Sequence, residues 1–182
     1  MKKTTILLAT AAVFAAGLFA FTTTDTKWTI NAQDAKIEFT MPNGKHGGTV
    51  SGLDASFDFD PMHPELALLK ATVDVKQLKA DNEKLTAHLM TNDFFDAEHH
   101  PTMTFTSEKV VANDSGFVVT GPLAIRDSVH TVSVPFTFKQ DGNKATFKGS
   151  LDIFAGDYGV GQKSKGGNDR VVVSIEVPVW KE

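Results

Sequence analysis

The densest group of residues able to do chemistry is Glu98-His99-His100, close behind Asp96. Imidazoles and carboxylates are the usual ligands of zinc and the usual members of acid–base pairs. Adjacent side chains of an extended segment point to opposite sides, so His99 and His100 do not share one metal without ligands from elsewhere. His46, His63 and His130 stand singly in or beside expected turns. A serine hydrolase needs its nucleophile on a G-x-S-x-G elbow, which no Ser of this chain occupies; Asp96 or Glu98 beside His99 is the acid–base pair that is left. The segment Gly156–Ser164, GDYGVGQKS, falls one residue short of a phosphate-binding loop, because Gln162 interrupts it and no helix follows to aim its amides. It reads as a loop between the last two strands that carries Lys163 and Lys165. With no Cys, thiolate chemistry and disulfides are absent. These residues assign no catalytic group, no metal and no cofactor, and the chain is expected not to be an enzyme.

The elements that position these groups centre on Asn82–Phe105, where strand-like alternation gives way to helical spacing. Asp81 or Asn82 caps a helix whose Leu85, His88 and Leu89 recur at i, i+3, i+4 and form one short apolar stripe. Phe94 and Phe95 are framed by Asn92, Asp93 and Asp96, which places two large rings in a turn. Pro101 ends any helix, and Thr102–Thr106 alternates Thr with Met103 and Phe105.

On either side the chain reads as short one-sided strands. Ile37, Phe39 and Met41 share a face, as do Leu53, Ala55, Phe57 and Phe59, and then Ala71, Val73 and Val75. Beyond Phe105 the faces are Phe117, Val119, Leu123, Ile125; then Val132, Val134, Phe136, Phe138; then Ala145, Phe147, Leu151, Ile153; and last Val171 to Val179. Turn residues separate them at Asn113–Gly116, Arg126–Ser128 and Asp141–Asn143. Such strands fit a closed antiparallel barrel or a two-sheet sandwich, and pattern alone leaves both open. Pro135 and Pro178 lie inside strand patterns and lack the amide donor, so each is expected at a bulge or an edge.

His88-Leu89, Asn92-Asp93-Phe94-Phe95-Asp96, Pro101 and Thr104-Phe105 together resemble the signature of the YceI-like family, H-L-x-x-x-D-F-F-D-x-x-x-x-P-x-x-T-F. The resemblance extends to Trp28-Thr29-Ile30, Ile37-Glu38-Phe39, Val50-Ser51-Gly52, Gly121 to Ile125 and Asp169-Arg170-Val171. It departs from the family pattern at Asp34-Ala35 and at Leu85-Thr86. The resemblance implies an all-β, lipocalin-like antiparallel barrel of about eight strands with one short helix near the mouth. It further implies export and a long isoprenoid, such as a quinone or polyprenyl lipid, or another amphiphile held inside the barrel.

Lys2 and Lys3, the apolar run Ile6–Phe21 and the small residues near Ala20 read as a cleaved secretory leader over 1–20. A flexible segment, 21–27, and one folded domain, 28–182, follow. Losing the leader removes two lysines and no acid, which takes the net charge from −4 to −6. That balance argues against nucleic acid and against an anionic membrane surface as partners. Together with the resemblance, the leader places the mature protein in the periplasm or outside the cell, without a stable membrane anchor.

Phe occurs 14 times against one Tyr, so the aromatic content is nearly all without a polar handle. An eight-stranded barrel is just wide enough to be filled by its own side chains or to hold one small ligand. Two readings follow: a binding protein that sequesters an isoprenoid or other amphiphilic lipid, and a self-filled structural or interaction module of the cell envelope. Under the first, Phe39, Phe57, Met103, Phe105, Val119, Leu123, Val134 and Phe136 are expected to line the cavity, with Phe94 and Phe95 at its mouth.

Overall fold

The computed structural model describes residues 26–41, 44, 46–162 and 169–181. The leader assigned to 1–20, the segment 21–25, and Lys163 and Lys165 lie outside the described residues.

Twelve strand segments among the described residues form one antiparallel sheet: β1 (Lys27–Ile30), β2 (Lys36–Thr40), β3 (Gly47–Val50), β4 (Asp54–Asp58), β5 (Leu68–Asp74), β6 (Leu78–Ala80), β7 (Thr102–Thr106), β8 (Lys109–Asn113), β9 (Gly116–Ile125), β10 (Ser128–Asp141), β11 (Lys144–Phe154) and β12 (Arg170–Trp180). Pairing runs β1-β4-β5-β7-β9-β10-β11-β12 and returns from β12 to β1, which closes an eight-stranded barrel and excludes the sandwich. The early strands are broken halves of longer ones. Thus β1 and β2 both pair with β12, at Val179 and Trp180 and over Val172–Glu176 respectively, while β7 and β8 both pair with β9. The β7–β8 break is held by Ser107, whose amide donates to the Leu69 carbonyl and whose Oγ accepts from the Leu69 amide, both at 2.8 Å. At this break the backbone lies so close to β9 that a Cβ on Gly121 would sit 2.0 Å from the Thr106 carbonyl oxygen.

The prolines sit where a strand lacks one neighbour, as residues without an amide proton must. Pro178 falls between the stretches of β12 paired with β1 and with β2. Pro135 borders a larger interruption: the β10–β11 ladder runs from Asp141↔Lys144 to Phe136↔Gly149 and stops. Beyond it β10 continues along β9 and β11 along β12, leaving a cleft bordered by His130, Ser133, Asp152 and Asp157. The far end of this seam is bridged by His130, whose Nε2 donates to the Asp157 carbonyl at 3.1 Å.

One end of the barrel is filled. Phe59, fully buried, makes edge contacts with Phe117, Phe136, Phe138 and Phe147 at centroid distances of 5.0–5.7 Å. Trp28 lies against Phe138 and donates its indole N–H to the Phe59 carbonyl at 2.9 Å, which satisfies the one polar atom that this aromatic plug buries. At the other end lies the helix α1 (Glu83–Leu89), capped by Asn82, whose side chain accepts from the Leu85 amide. Leu89 is buried and Leu85 half-buried against Val50 and Leu78, while His88 is exposed with its ring 4.5 Å from that of Phe94.

Candidate functional site

Between the aromatic plug and α1 lies a cavity of about 430 Å³. Its wall is apolar around the whole circumference because every barrel strand alternates and turns its hydrophobic face inward. All ten residues singled out from the sequence border it: Phe39, Phe57, Phe94, Phe95, Met103, Phe105, Val119, Leu123, Val134 and Phe136. They divide into two groups: Phe57, Phe105, Val119, Val134 and Phe136 pack with the plugged end, and Phe39, Met103, Leu123, Phe94 and Phe95 pack with the groups at the mouth. Phe39 finds room because Gly48 faces it, where a Cβ would lie 2.6 Å from the Phe39 ring.

The mouth is built by two packed groups that meet at Phe94 and Phe95. One is α1 with Val50, Leu78 and Met41; the other is Ile125, Tyr158 and Val160. The turn carrying the two rings hangs from the end of α1, with the Phe95 amide donating to Leu89 O at 3.0 Å and Ala97 to Met90 O at 3.1 Å. Arg126, with a positive φ of 53°, donates from Nη1 to the Phe94 carbonyl at 2.6 Å and also to the Gly159 carbonyl. The Gly161 amide adds a second tie, to Asp93 O at 2.9 Å. The segment after β11 is therefore part of the mouth. The sequence reading as a plain loop missed this, because Tyr158 and Val160 are flanked by Gly and Asp and show no strand or helix period. Arg126 reads in the sequence only as a turn residue; its role depends on carbonyls more than thirty positions away in the chain, which leave no local signal.

Polar groups at the cavity are few: Thr104, Tyr158, Gln162 and Asp169. Asp169 is engaged by the Gly156 amide at 3.3 Å. Burial, seconded by Asp157, pushes the Tyr158 phenol above its ordinary value. No histidine borders the cavity among the described residues.

The histidine cluster sits on the outside of the Phe94-Phe95 turn, and its segment is not extended as expected. Residues 97–99 are a turn in which the amides of His99 and His100 both donate to Asp96 O, at 3.0 and 2.8 Å. Both rings therefore fold back toward one carboxylate: His99 Nδ1 lies 2.9 Å from Asp96 Oδ1, and His100 Nε2 lies 3.9 Å from Asp96 Oδ2 and 3.5 Å from Asp127. The His99 hydrogen bond holds the Asp96 carboxyl below its ordinary range, and Asp96 in turn raises His99. Glu98 is exposed. No group of three or more potential metal ligands occurs among the described residues.

A barrel hollow in its upper half, with the His88–Phe105 motif placed at its mouth, has the form that the sequence resemblance implies. A family model, the YceI-like domain, matches residues 28–179. The chain belongs to the YceI-like family. Among relatives, a UPF0312 protein of Pseudomonas paraeruginosa is 29% identical over 170 residues and covers 88% of each chain. A UPF0312 protein of Photorhabdus laumondii is 29% identical over 128 residues, covering 69% of this chain and 67% of the relative. The crystal structure of Burkholderia cenocepacia BcnA superposes with a TM-score of 0.75 at 25% identity, over 82% of this chain and 98% of that one. A polyisoprenoid-binding domain from Saccharophagus degradans shares the fold at a TM-score of 0.59 and 9% identity, over 87% of this chain and 100% of that domain.

Proposed function

We propose that this protein binds an isoprenoid or other amphiphilic lipid inside the barrel, and that it acts as a non-enzymatic carrier or sequestering protein exported by its leader. The observation that carries the reading is the apolar cavity of about 430 Å³, a volume in the range of small-molecule sites and far above the voids tolerated in a packed core. The self-filled reading describes the plugged half of the barrel only. Burial of a hydrocarbon tail against this wall is worth about 25 cal/mol per Å² before ordering costs, so a long tail gains affinity with few hydrogen bonds. The polyisoprenoid-binding domain that shares this fold supports a prenyl tail as the cargo.

The test is uptake of a fluorescent fatty-acyl or prenyl probe by delipidated protein, together with Val119→Phe and Val134→Phe. Both residues border the cavity, so an added ring is absorbed by the void: melting stays near that of the parent and probe uptake falls. Overpacking a filled interior instead costs about 1–3 kcal/mol. Failure of the parent to take up any probe rejects the reading. Mass spectrometry of organic extracts from protein purified from its native host identifies the cargo, and N-terminal sequencing of that material tests cleavage near Ala20.

A further inference from the structure

The cavity is blind at one end, and the residues that close it form a single aromatic layer. Phe147 lies at its centre: its ring is 4.9 Å from Phe57, 5.8 Å from Phe136 and 5.3 Å from Phe59 between centroids. Phe57, Phe136 and Phe147 border the cavity, whereas Phe59, directly beneath them, does not and is fully buried. Edge contacts among these rings, and from Phe59 to Phe117 and Phe138, leave the layer no passage. The polar residues Gln162 and Asp169 border the same cavity from the segment leading into β12, at the mouth end. A ligand with one apolar and one polar end is thus oriented tail-first, toward a floor made only of carbon.

We propose that the Phe57–Phe136–Phe147 layer is a length gauge, so that the protein selects its lipid by the number of isoprene units in the tail. This rests on the lipid-binding reading above and goes beyond it by assigning the residues that set specificity. The physical basis is that each added unit is buried, and adds affinity, only while space remains above the floor. Each five-carbon unit takes up a fixed volume at the density of a protein interior, so a cavity closed at one end holds a limited number of units. Further units are left at the mouth in water and gain little. Removing a ring from the floor should lengthen the gauge, because an apolar cavity left by a deleted core side chain stays dry and accepts a small hydrocarbon. Phe57 suits that change, being only half-buried and itself bordering the cavity. Ala71 suits the reverse, since it borders the cavity and pairs with Ala55, which lies on the same face of β4 as Phe57 and two positions from it.

The experiment measures displacement of a bound fluorescent fatty-acyl probe by all-trans polyprenols of two to nine isoprene units, on delipidated full-chain protein. In the parent, affinity is expected to rise several-fold per unit up to a break within this range and less than twofold per unit after it. Phe57→Ala should move the break at least one unit longer, and Ala71→Phe at least one unit shorter. Phe57→Leu, which removes less volume, supplies the intermediate case if Phe57→Ala does not fold. A steady gain up to nine units in the parent, or a break that stays in place in the variants, overturns the gauge while leaving lipid binding intact. Probe uptake with no displacement by any polyprenol overturns the gauge and leaves lipid binding intact, whereas a parent that takes up no probe overturns both.

Discussion

Arg126 ties the Phe94 backbone to the segment that follows β11, donating to the Phe94 carbonyl at 2.6 Å and also to the Gly159 carbonyl. One side chain therefore holds together two loops that the chain itself joins only through the barrel. Hydrogen bonds from a charged donor contribute about 1.5–3 kcal/mol, so Arg126→Ala is expected to lower stability by about 2 kcal/mol and to speed release of a bound probe. Arg126 also occupies a left-handed backbone position, φ 53°, which favours glycine. Arg126→Gly should be less destabilising than Arg126→Ala by about 1 kcal/mol, while releasing the probe just as fast. Urea unfolding and stopped-flow release separate the two effects.

Phe59 and Phe57 sit two residues apart on the same face, yet should differ sharply on truncation. Phe59 is fully buried among four rings, so Phe59→Ala is expected to cost about 3–5 kcal/mol. Phe57 has open cavity on one side, fewer packed neighbours to lose, and a correspondingly smaller cost. Equal losses in urea unfolding would mean that the space beside Phe57 is filled.

The seam beyond Pro135 should be visible in amide exchange. In an antiparallel strand alternate amides point to opposite neighbours, so about half of those in 128–134 and 150–154 face the cleft without a ladder partner. Residue-resolved exchange should show fast and slow amides alternating there, against uniform protection in 144–149, which pairs on both sides. Uniform protection throughout would mean that the seam is closed in solution.

The Asp96–His99 pair makes stability depend on pH in a defined direction. Asp96 is lowered by the His99 hydrogen bond, so its contribution is present above its unfolded value and lost as pH falls through the lowered one. His99 is raised by Asp96, so its contribution is present below its unfolded value and lost as pH rises through the raised one. The stability difference between parent and His99→Ala should be greatest near about pH 5–6 and shrink toward about pH 2 and about pH 9. Because the His99 ring is exposed, added salt should reduce the difference. A difference independent of pH would mean that the ring acts by packing alone.

Alternation was enough to place the inward faces of the strands, and with them the eight expected lining residues that lie on strands, because a strand's side chains change sides at every residue whatever the strand's neighbours are. The helix was legible for a similarly local reason: Asn82 caps it and Leu89 is its buried contact. The prolines at 135 and 178 marked gaps in the ladder in advance, since a missing amide proton is a property of the residue. Closure of the sheet is of another kind. It requires β12 to meet β1 across almost the whole chain, and alternating faces serve a sandwich equally well; only the register of Thr29 with Trp180 distinguishes them. The division into a plugged and a hollow half likewise depends on how Phe59, just past the end of β4, converges with Phe136 of β10 and Phe147 of β11. The Arg126 tie and the burial of Tyr158 and Val160 depend on loops brought together by the barrel. A sequence encodes the preference of each side chain for water or for other side chains; which of them fill space together, and where space is left over, is set by distances between residues far apart in the chain.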